Sequence, residues 1–388
     1  MIKSFLKRIL LIFVCPLLLV GCWDAKEVGL MYYAHAVGID YKDGQYFFYV
    51  QIMDFDALGK REQQSKSSEF GAWVGKASGE SVAAAIHNLY ATSERRIFWG
   101  HTSVMILSES ALKHGIDEVM DSFSRFNEFR YTMWIFASRE PLEELLMTSP
   151  ILNLSPVYSK LSDPLSNYRQ SSFIEPLRMH RFISRLREPG QSPMLPAVGV
   201  ARANWRSTKE KTALEFAGVF AYDDKLRGWL PREKLTGLRW MNRKTYRTPL
   251  TVIYRDRPAA IIIFSRPKAD IIPVDNGRGT PAFRIEISIS GNIVSKLKDV
   301  PEPVLARQSE ALIRQEVART FQEGVKINAD VYNLLGALFR KDPGQFNRMR
   351  ESGQLRLTET SLDGGVKVKV NISDSGRTLK FFETKDEQ

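Results

Sequence analysis

The chain has 388 residues, 44% of them hydrophobic and 26% charged, which supplies apolar material for a large core and excludes a disordered polypeptide. Lysine and arginine number 55 against 44 acids, a net charge of +11 that favours anionic partners and says nothing of the fold. The two cysteines, Cys15 and Cys22, both lie near the start, so disulfide scaffolds, thiolate zinc sites and cysteine nucleophiles are excluded from the body.

Residues 1–21 read as an export signal. Lys3, Lys7 and Arg8 form a positive leader, and residues 9–20 form an apolar stretch of twelve, short of the roughly twenty that a membrane span needs. Leu19-Val20-Gly21-Cys22 then has the small-residue pattern of a lipoprotein box. Cleavage before Cys22 would free its amine and leave its thiol to carry diacylglycerol; the alternative is an ordinary signal peptide with a chance cysteine. Beyond Cys22 no apolar run exceeds about seven residues, so the mature chain is expected to be anchored to a membrane without spanning it. Loss of the three leader cations leaves +8. That charge suits an anionic lipid surface or a solvated basic face, and no nucleic acid partner is expected of an exported chain.

Along the body, 31–40 and 45–53 are apolar, aromatic-rich strands joined by the Asp43-Gly44 turn. A short strand over 70–74 precedes a helix from Ser78 with Val82, Ile86, Leu89 and Tyr90 inside. Strands over 97–107 and 130–137 flank a helical stretch, 109–126, and Ser138 is placed as the cap of a further helix. Residues 150–195 read as helical with proline punctuation. Arg178, Arg181 and Arg185 share a face there, suited to phospholipid head groups, to an acidic protein or to water. The run 190–196 resembles a linker. Strands follow at 197–201, 214–222, 251–254, 259–264 and 283–293, with a short helix from Pro231 to Trp240. A long helix over 303–325 carries Leu305, Ile313, Val317 and Phe321 on one stripe; a helix over 330–340, a strand over 366–372 and a polar tail close the chain. The expected class is α+β, with mixed or antiparallel sheets and packed helices in three domains, 22–195, 196–268 and 269–388.

Chemistry is sparse. His35, His87, His101, His114 and His180 form no metal-binding pair, and there is no Gly-x-Ser-x-Gly elbow. Gly277-Arg278-Gly279 precedes a strand pattern, and Gly71 to Lys76 is one residue short of a phosphate loop; neither cradles phosphate. Asp54 and Asp56 suit a solvated loop edge better than a cation. No catalytic residue, metal or cofactor is expected beyond a covalent lipid on Cys22. One segment stands apart, Ser93-Glu94-Arg95-Arg96-Ile97-Phe98-Trp99-Gly100-His101. Arginine beside aromatics suits a protein interface, while Phe98 and Trp99 in the core with a Glu94–Arg95 ion pair is the structural alternative.

Gly21-Cys22-Trp23-Asp24 with Glu27 resembles the mature start of the Ger(x)C lipoproteins, C subunits of nutrient germinant receptors in endospore-forming bacteria. The 95–101 segment resembles that family's basic, aromatic, Gly-His motif. Leu195-Pro196-Ala197-Val198-Gly199-Val200, Gly218-Val219-Phe220, Lys225-Leu226-Arg227-Gly228 and Asp330-Val331-Tyr332 through Gly336 resemble further blocks, in order, over essentially the whole chain. Tyr332 and Leu335 depart mildly from the pattern. The resemblance implies a non-enzymatic α+β ectodomain at the outer face of the spore inner membrane, assembled with an A subunit and a transporter-like B subunit. Trp23, Asp24, Glu94, Arg95, Arg96, Gly100 and His101 are then the candidate interaction or structural residues. A solute-binding lipoprotein of an importer and a cell-envelope hydrolase are the competing readings. The first would show repeated βαβ lobes, and the second a nucleophile–base or paired-acid arrangement.

Overall fold

The computed structural model describes residues 30–53, 73–206 and 210–373. The expectations for the signal segment, Cys22, Trp23, Asp24, Asp54, Asp56 and the polar tail lie outside them. The class is α+β: two sheets, each with helices packed on it.

β1 (Met31–Lys42) and β2 (Gln45–Met53) form the expected hairpin, with Asp43 and Gly44 both at positive φ, 52° and 78°, as a two-residue turn of this hand requires. β3 (Trp73–Gly79) adds to β2, and Ser81 caps α1 (Val82–Tyr90) by accepting from the Ala84 amide. The expected strand over 97–107 is two pieces, β4 (Arg96–Phe98) and β5 (Val104–Ser108), because a tight turn at 99–102 interrupts it. Helices α2 (Glu109–His114) and α3 (Asp117–Arg125) lead to β6 (Trp134–Ser138). Ser138 ends that strand rather than capping a helix. Its hydroxyl donates to the Val198 carbonyl, and α4 (Leu142–Met147) starts after Pro141.

Residues 150–195 are less helical than expected: α5 (Pro164–Gln170), the two-residue β7 (Leu177–Arg178) and α6 (Met179–Arg187) are joined by irregular chain. The first sheet then continues through β8 (Met194–Arg206), β9 (Glu210–Tyr222) and β10 (Leu226–Pro231), in the order β10-β9-β8-β6-β5-β1-β2-β3, with β4 on β1 and β7 on β6. Its centre is parallel, β4 and β5 with β1, β5 with β6, and β6 with β8. β5 and β6 are buried throughout, as strands covered on both faces must be. One face packs on α1, α3 and α6 through Ile86, Val119 and Phe182, the other on α4 through Leu142, Leu145 and Leu146.

The second sheet is β11 (Thr248–Tyr254), β12 (Arg257–Val274), β13 (Ala282–Lys296) and β14 (Val366–Ser373), in that order. Across it lies α8 (Glu302–Lys326), burying the expected stripe of Leu305, Ile313, Val317 and Phe321; α7 (Leu238–Met241), α9 (Leu334–Lys341) and α10 (Pro343–Glu351) complete the layer. Val219, Ala221 and Leu230 of the first sheet share a core with this unit. The expected domain edges at 195/196 and 268/269 fall inside β8 and β12. The run 190–196 is no free linker either. Gly190 sits at positive φ, where an added Cβ would lie 2.7 Å from the Leu335 carbonyl carbon, and the Ser192 amide donates to Asn333 Oδ1.

Candidate functional site

The 93–101 segment lies at the end of the first sheet where β1 begins. β4 pairs in parallel with Met31, Tyr32 and Tyr33, and strand alternation sends Ile97 and Trp99 inward while Phe98 turns to the other side. Trp99 is fully buried, edge-on to Phe48 at 5.7 Å and tilted against Phe129 at 5.2 Å. Its indole N–H donates to the Tyr90 hydroxyl at 2.8 Å, and burial raises that phenol's pKa, which keeps it protonated. The Thr102 amide donates to the Trp99 carbonyl, closing a turn through Gly100. Any Cβ at Gly100 would stand 2.7 Å from Phe98 Cζ, so a larger residue there requires the ring to shift.

Glu94, Arg95 and Arg96 are exposed ahead of the strand. Arg96 meets Glu128 at 3.4 Å, and the Arg95 guanidinium lies 5.8 Å from the Tyr32 ring centroid. His101 is exposed, its ring 5.6 Å from that of Tyr33 and 5.4 Å from that of Phe98. The motif thus divides between core and surface.

A largely apolar cleft of about 650 Å³ opens between these rings and Met31, Met53 and Val157. His35, Ser103 and Ser162 supply its polar lining. His35 lies at a bulge between Ala34 and Ala36, which turns the side chain off the regular alternation. Its Nδ1 is 2.7 Å from Gln51 Oε1 and its Nε2 is 2.7 Å from Ser162 Oγ, while Gln51 Nε2 donates to the Leu146 carbonyl. This chain of bonds assigns Nδ1–H as donor and Nε2 as acceptor. Burial, the largest influence, holds the His35 pKa below its ordinary value, against the raising effect of the Gln51 bond.

Serine beside histidine has the outline of a nucleophile and its base, but the third member is an amide and cannot stabilise an imidazolium as a carboxylate does. The Pro156 carbonyl, 2.9 Å from Ser162 Oγ, is an alternative acceptor for the one hydroxyl proton, and the His35 bonds tie β1, β2, α4 and Ser162 together. Sequence reading missed it because Gln51 and Ser162 are 16 and 127 positions from His35.

At the opposite end of the parallel strands, a cavity of about 540 Å³ is lined by Asp40, Glu109, Lys113, Arg139 and Glu143. Glu109 accepts from Lys113 at 2.9 Å and from Arg139 at 3.0 Å, and the Lys113 bond is the main reason its carboxyl pKa is lowered. Those cations already have a carboxylate. Among the described residues no cluster of His, Cys, Asp and Glu is arranged to hold a metal, and no helix is long and apolar enough to cross a membrane.

The remaining blocks singled out in the sequence are structural in setting. Gly218 runs so close to β10 that a Cβ would meet the Leu230 carbonyl oxygen. Arg227 closes the β9–β10 turn on Asp223 and Asp224 at 2.6 and 2.8 Å. Asp330 is buried and accepts from the Leu335 amide at 2.8 Å, and the Tyr332 hydroxyl donates to the Val317 carbonyl at 2.9 Å.

Residues 24–200 match the family described as spore germination protein N-terminal domain, and residues 216–376 match the spore germination B3/GerAC-like C-terminal domain. The chain belongs to the GerAC-type spore germination proteins. It is 23% identical over 401 residues to spore germination protein KC of Bacillus subtilis (strain 168), covering 97% of each chain. Spore germination protein B3 of the same organism is 24% identical over 286 residues, 71% of each. The crystal structure of the GerBC protein has the same fold, at a TM-score of 0.50 and 17% identity over 87% of this chain and 96% of that one. In GerAC terms, the 93–101 segment, the His35 network and both cavities lie within the N-terminal domain, and α8 with the second sheet lies within the C-terminal one.

Proposed function

We propose that this chain is the C subunit of a nutrient germinant receptor, held by a lipid on Cys22 at the outer face of the spore inner membrane. It assembles there with an A and a B subunit and acts by contact, without catalysis. The observation that carries the reading is the match of both GerAC domains in a chain that also has the Leu19 to Cys22 box. Supporting it, β1 starts at Met31, so the described fold begins a few residues after the cysteine. In the Ser162–His35–Gln51 chain an amide stands where a carboxylate would stabilise the imidazolium formed as serine attacks, which favours a structural use. The single sheet shared from β3 to β10 is unlike two repeated βαβ lobes, which speaks against a solute-binding protein.

Tethering makes contact a workable mechanism, since confinement raises the effective concentration of partners to about the millimolar range. The test is a deletion strain complemented with wild type or Cys22→Ala. Deletion should abolish the response to one nutrient while sparing a non-nutrient trigger, and Cys22→Ala protein should leave the membrane fraction or stay unprocessed. A processed Cys22→Ala protein that remains in the membrane would refute the anchor, and unchanged nutrient germination in the deletion strain would refute the receptor role.

A further inference from the structure

We infer that the end of the first sheet at which β1 begins is a docking face for an anionic lipid bilayer. The topology assembles this face. β1, β4, β5 and β6 run in parallel, β4 starting level with Met31 and β5 and β6 level with Ala36, so all four start towards this end, and β7 returns antiparallel to β6 with Arg178 opposite Trp134. The chain then passes outward beyond β6: the Met179 amide donates to the Met133 carbonyl and the His180 amide to the Tyr131 carbonyl. Residues distant in sequence, Arg95, Arg130, Arg178 and Arg181, thereby gather at one end.

Charge distinguishes this end from the other. Glu94, Glu128 and Asp163 are acids near it; Glu128 already meets Arg96, and Asp163, which follows the Ser162 whose carbonyl accepts from the Trp134 indole, accepts from the Ser166 hydroxyl. Arg130 and Arg181 are exposed and take no carboxylate among the described residues. Arg178 stacks its guanidinium 3.5 Å from the Trp134 ring centroid and donates to the Thr132 carbonyl, which holds it in place. At the far end of the same strands the cavity lining sets Asp40, Glu109, Glu140 and Glu143 against Lys76, Lys113 and Arg139, with Lys113 and Arg139 both on Glu109. Large exposed apolar side chains border the basic end: Leu30 at 58%, Trp73 at 74% and Tyr131 at 46% exposure. Arginine with tyrosine and tryptophan suits the head-group layer, where a charged tip and an apolar body are both accommodated.

Reach selects the same end, a point that rests on the proposed anchor. Cys22 precedes Leu30 by eight residues, a tether of at most about 28 Å when fully extended. The opposite end of β1 is a further 12 residues along, about 35–40 Å away. An acidic protein is the other occupant this charge would accept, but the tether and the exposed apolar border favour the bilayer.

The test uses mature chain 22–388 produced without acylation, sedimented with phosphatidylglycerol/phosphatidylcholine vesicles and with phosphatidylcholine alone. It therefore stands apart from the fate of Cys22. Wild type should bind the anionic vesicles in a salt-sensitive way and leave phosphatidylcholine free. Arg130→Ala with Arg181→Ala should weaken binding more than tenfold, at about fivefold per arginine. The control pair Arg340→Ala with Arg348→Ala, equal in charge and placed on α9 and α10, should stay within twofold. Equal losses in the two pairs, no binding to anionic vesicles, or equal binding to neutral ones would each overturn the inference.

Discussion

Arg239 on α7 holds Glu316 on α8 through both carboxylate oxygens, at 2.9 and 3.0 Å from Nη2. The Trp240 indole donates to the same carboxylate at 2.6 Å, and Arg239 Nη1 reaches the Pro249 carbonyl at 3.0 Å. One glutamate on the long helix therefore fixes the segment that bridges the two sheets. Both side chains are largely buried, 11% and 22% exposed, so removing either leaves an uncompensated charge. Glu316→Ala should lower stability by about 3 kcal/mol or more in urea titration, and Glu316→Gln by less because the amide oxygen still accepts.

The turn at Gly100 provides a second test. Gly100→Ala places a methyl against the Phe98 ring, which must rotate into the cleft or push the strand, at a cost of about 1–3 kcal/mol. His101→Ala removes exposed ring contacts with Tyr33 and Phe98, at a cost of about 0.5–1 kcal/mol. Thermal melts should rank the two in that order, and the reverse ranking would contradict the geometry.

Local features were legible in the sequence where local chemistry decides them. Asp43-Gly44 specified the hairpin because a turn with two positive φ angles accepts few other pairs, and the 3.6-residue stripe of Leu305, Ile313, Val317 and Phe321 specified α8. The 190–196 run reads as a linker because glycine is locally permissive and proline breaks regular structure; the distant contacts with Leu335 and Asn333 show otherwise. The extent of the first sheet was equally hidden, since β8 joins through a single pairing, Ala137 with Ala197. α10 escaped notice because its polar sequence buries only Phe346 and Met349. The candidate motif was visible as a cluster, but its division, Trp99 inward and His101 outward, is set by pairing with β1.

Acid should act on the His35 network with a defined sign. Burial holds the folded pKa below the usual 6.5, so between those values the unfolded chain binds more protons and stability falls as pH drops through about 6.5. Asp330 works the other way. Burial raises its carboxyl to about 6 in the fold, so its neutral form stabilises below that pH and its ionisation costs stability above. Comparing wild type with His35→Gln cancels the Asp330 contribution. Wild type should lose stability relative to the variant between pH 7.5 and 5.5; a constant difference would mean that His35 does not titrate as its burial demands.

Ligand binding separates a contact subunit from a binding protein. Isothermal titration of mature chain 22–388 with the nutrients that trigger the parent spores should give no heat of binding. Micromolar affinity, especially if lost on filling the cleft by Ser103→Phe, would promote the solute-binding reading.

Recovery of tagged chain from detergent-solubilised spore membranes tests the receptor assignment most directly. The A and B subunits should co-purify in comparable amounts with wild type and in much reduced amounts with Cys22→Ala, because the tether supplies the effective concentration on which a modest interface depends. Chain recovered from wild-type spore membranes without either subunit would contradict the account.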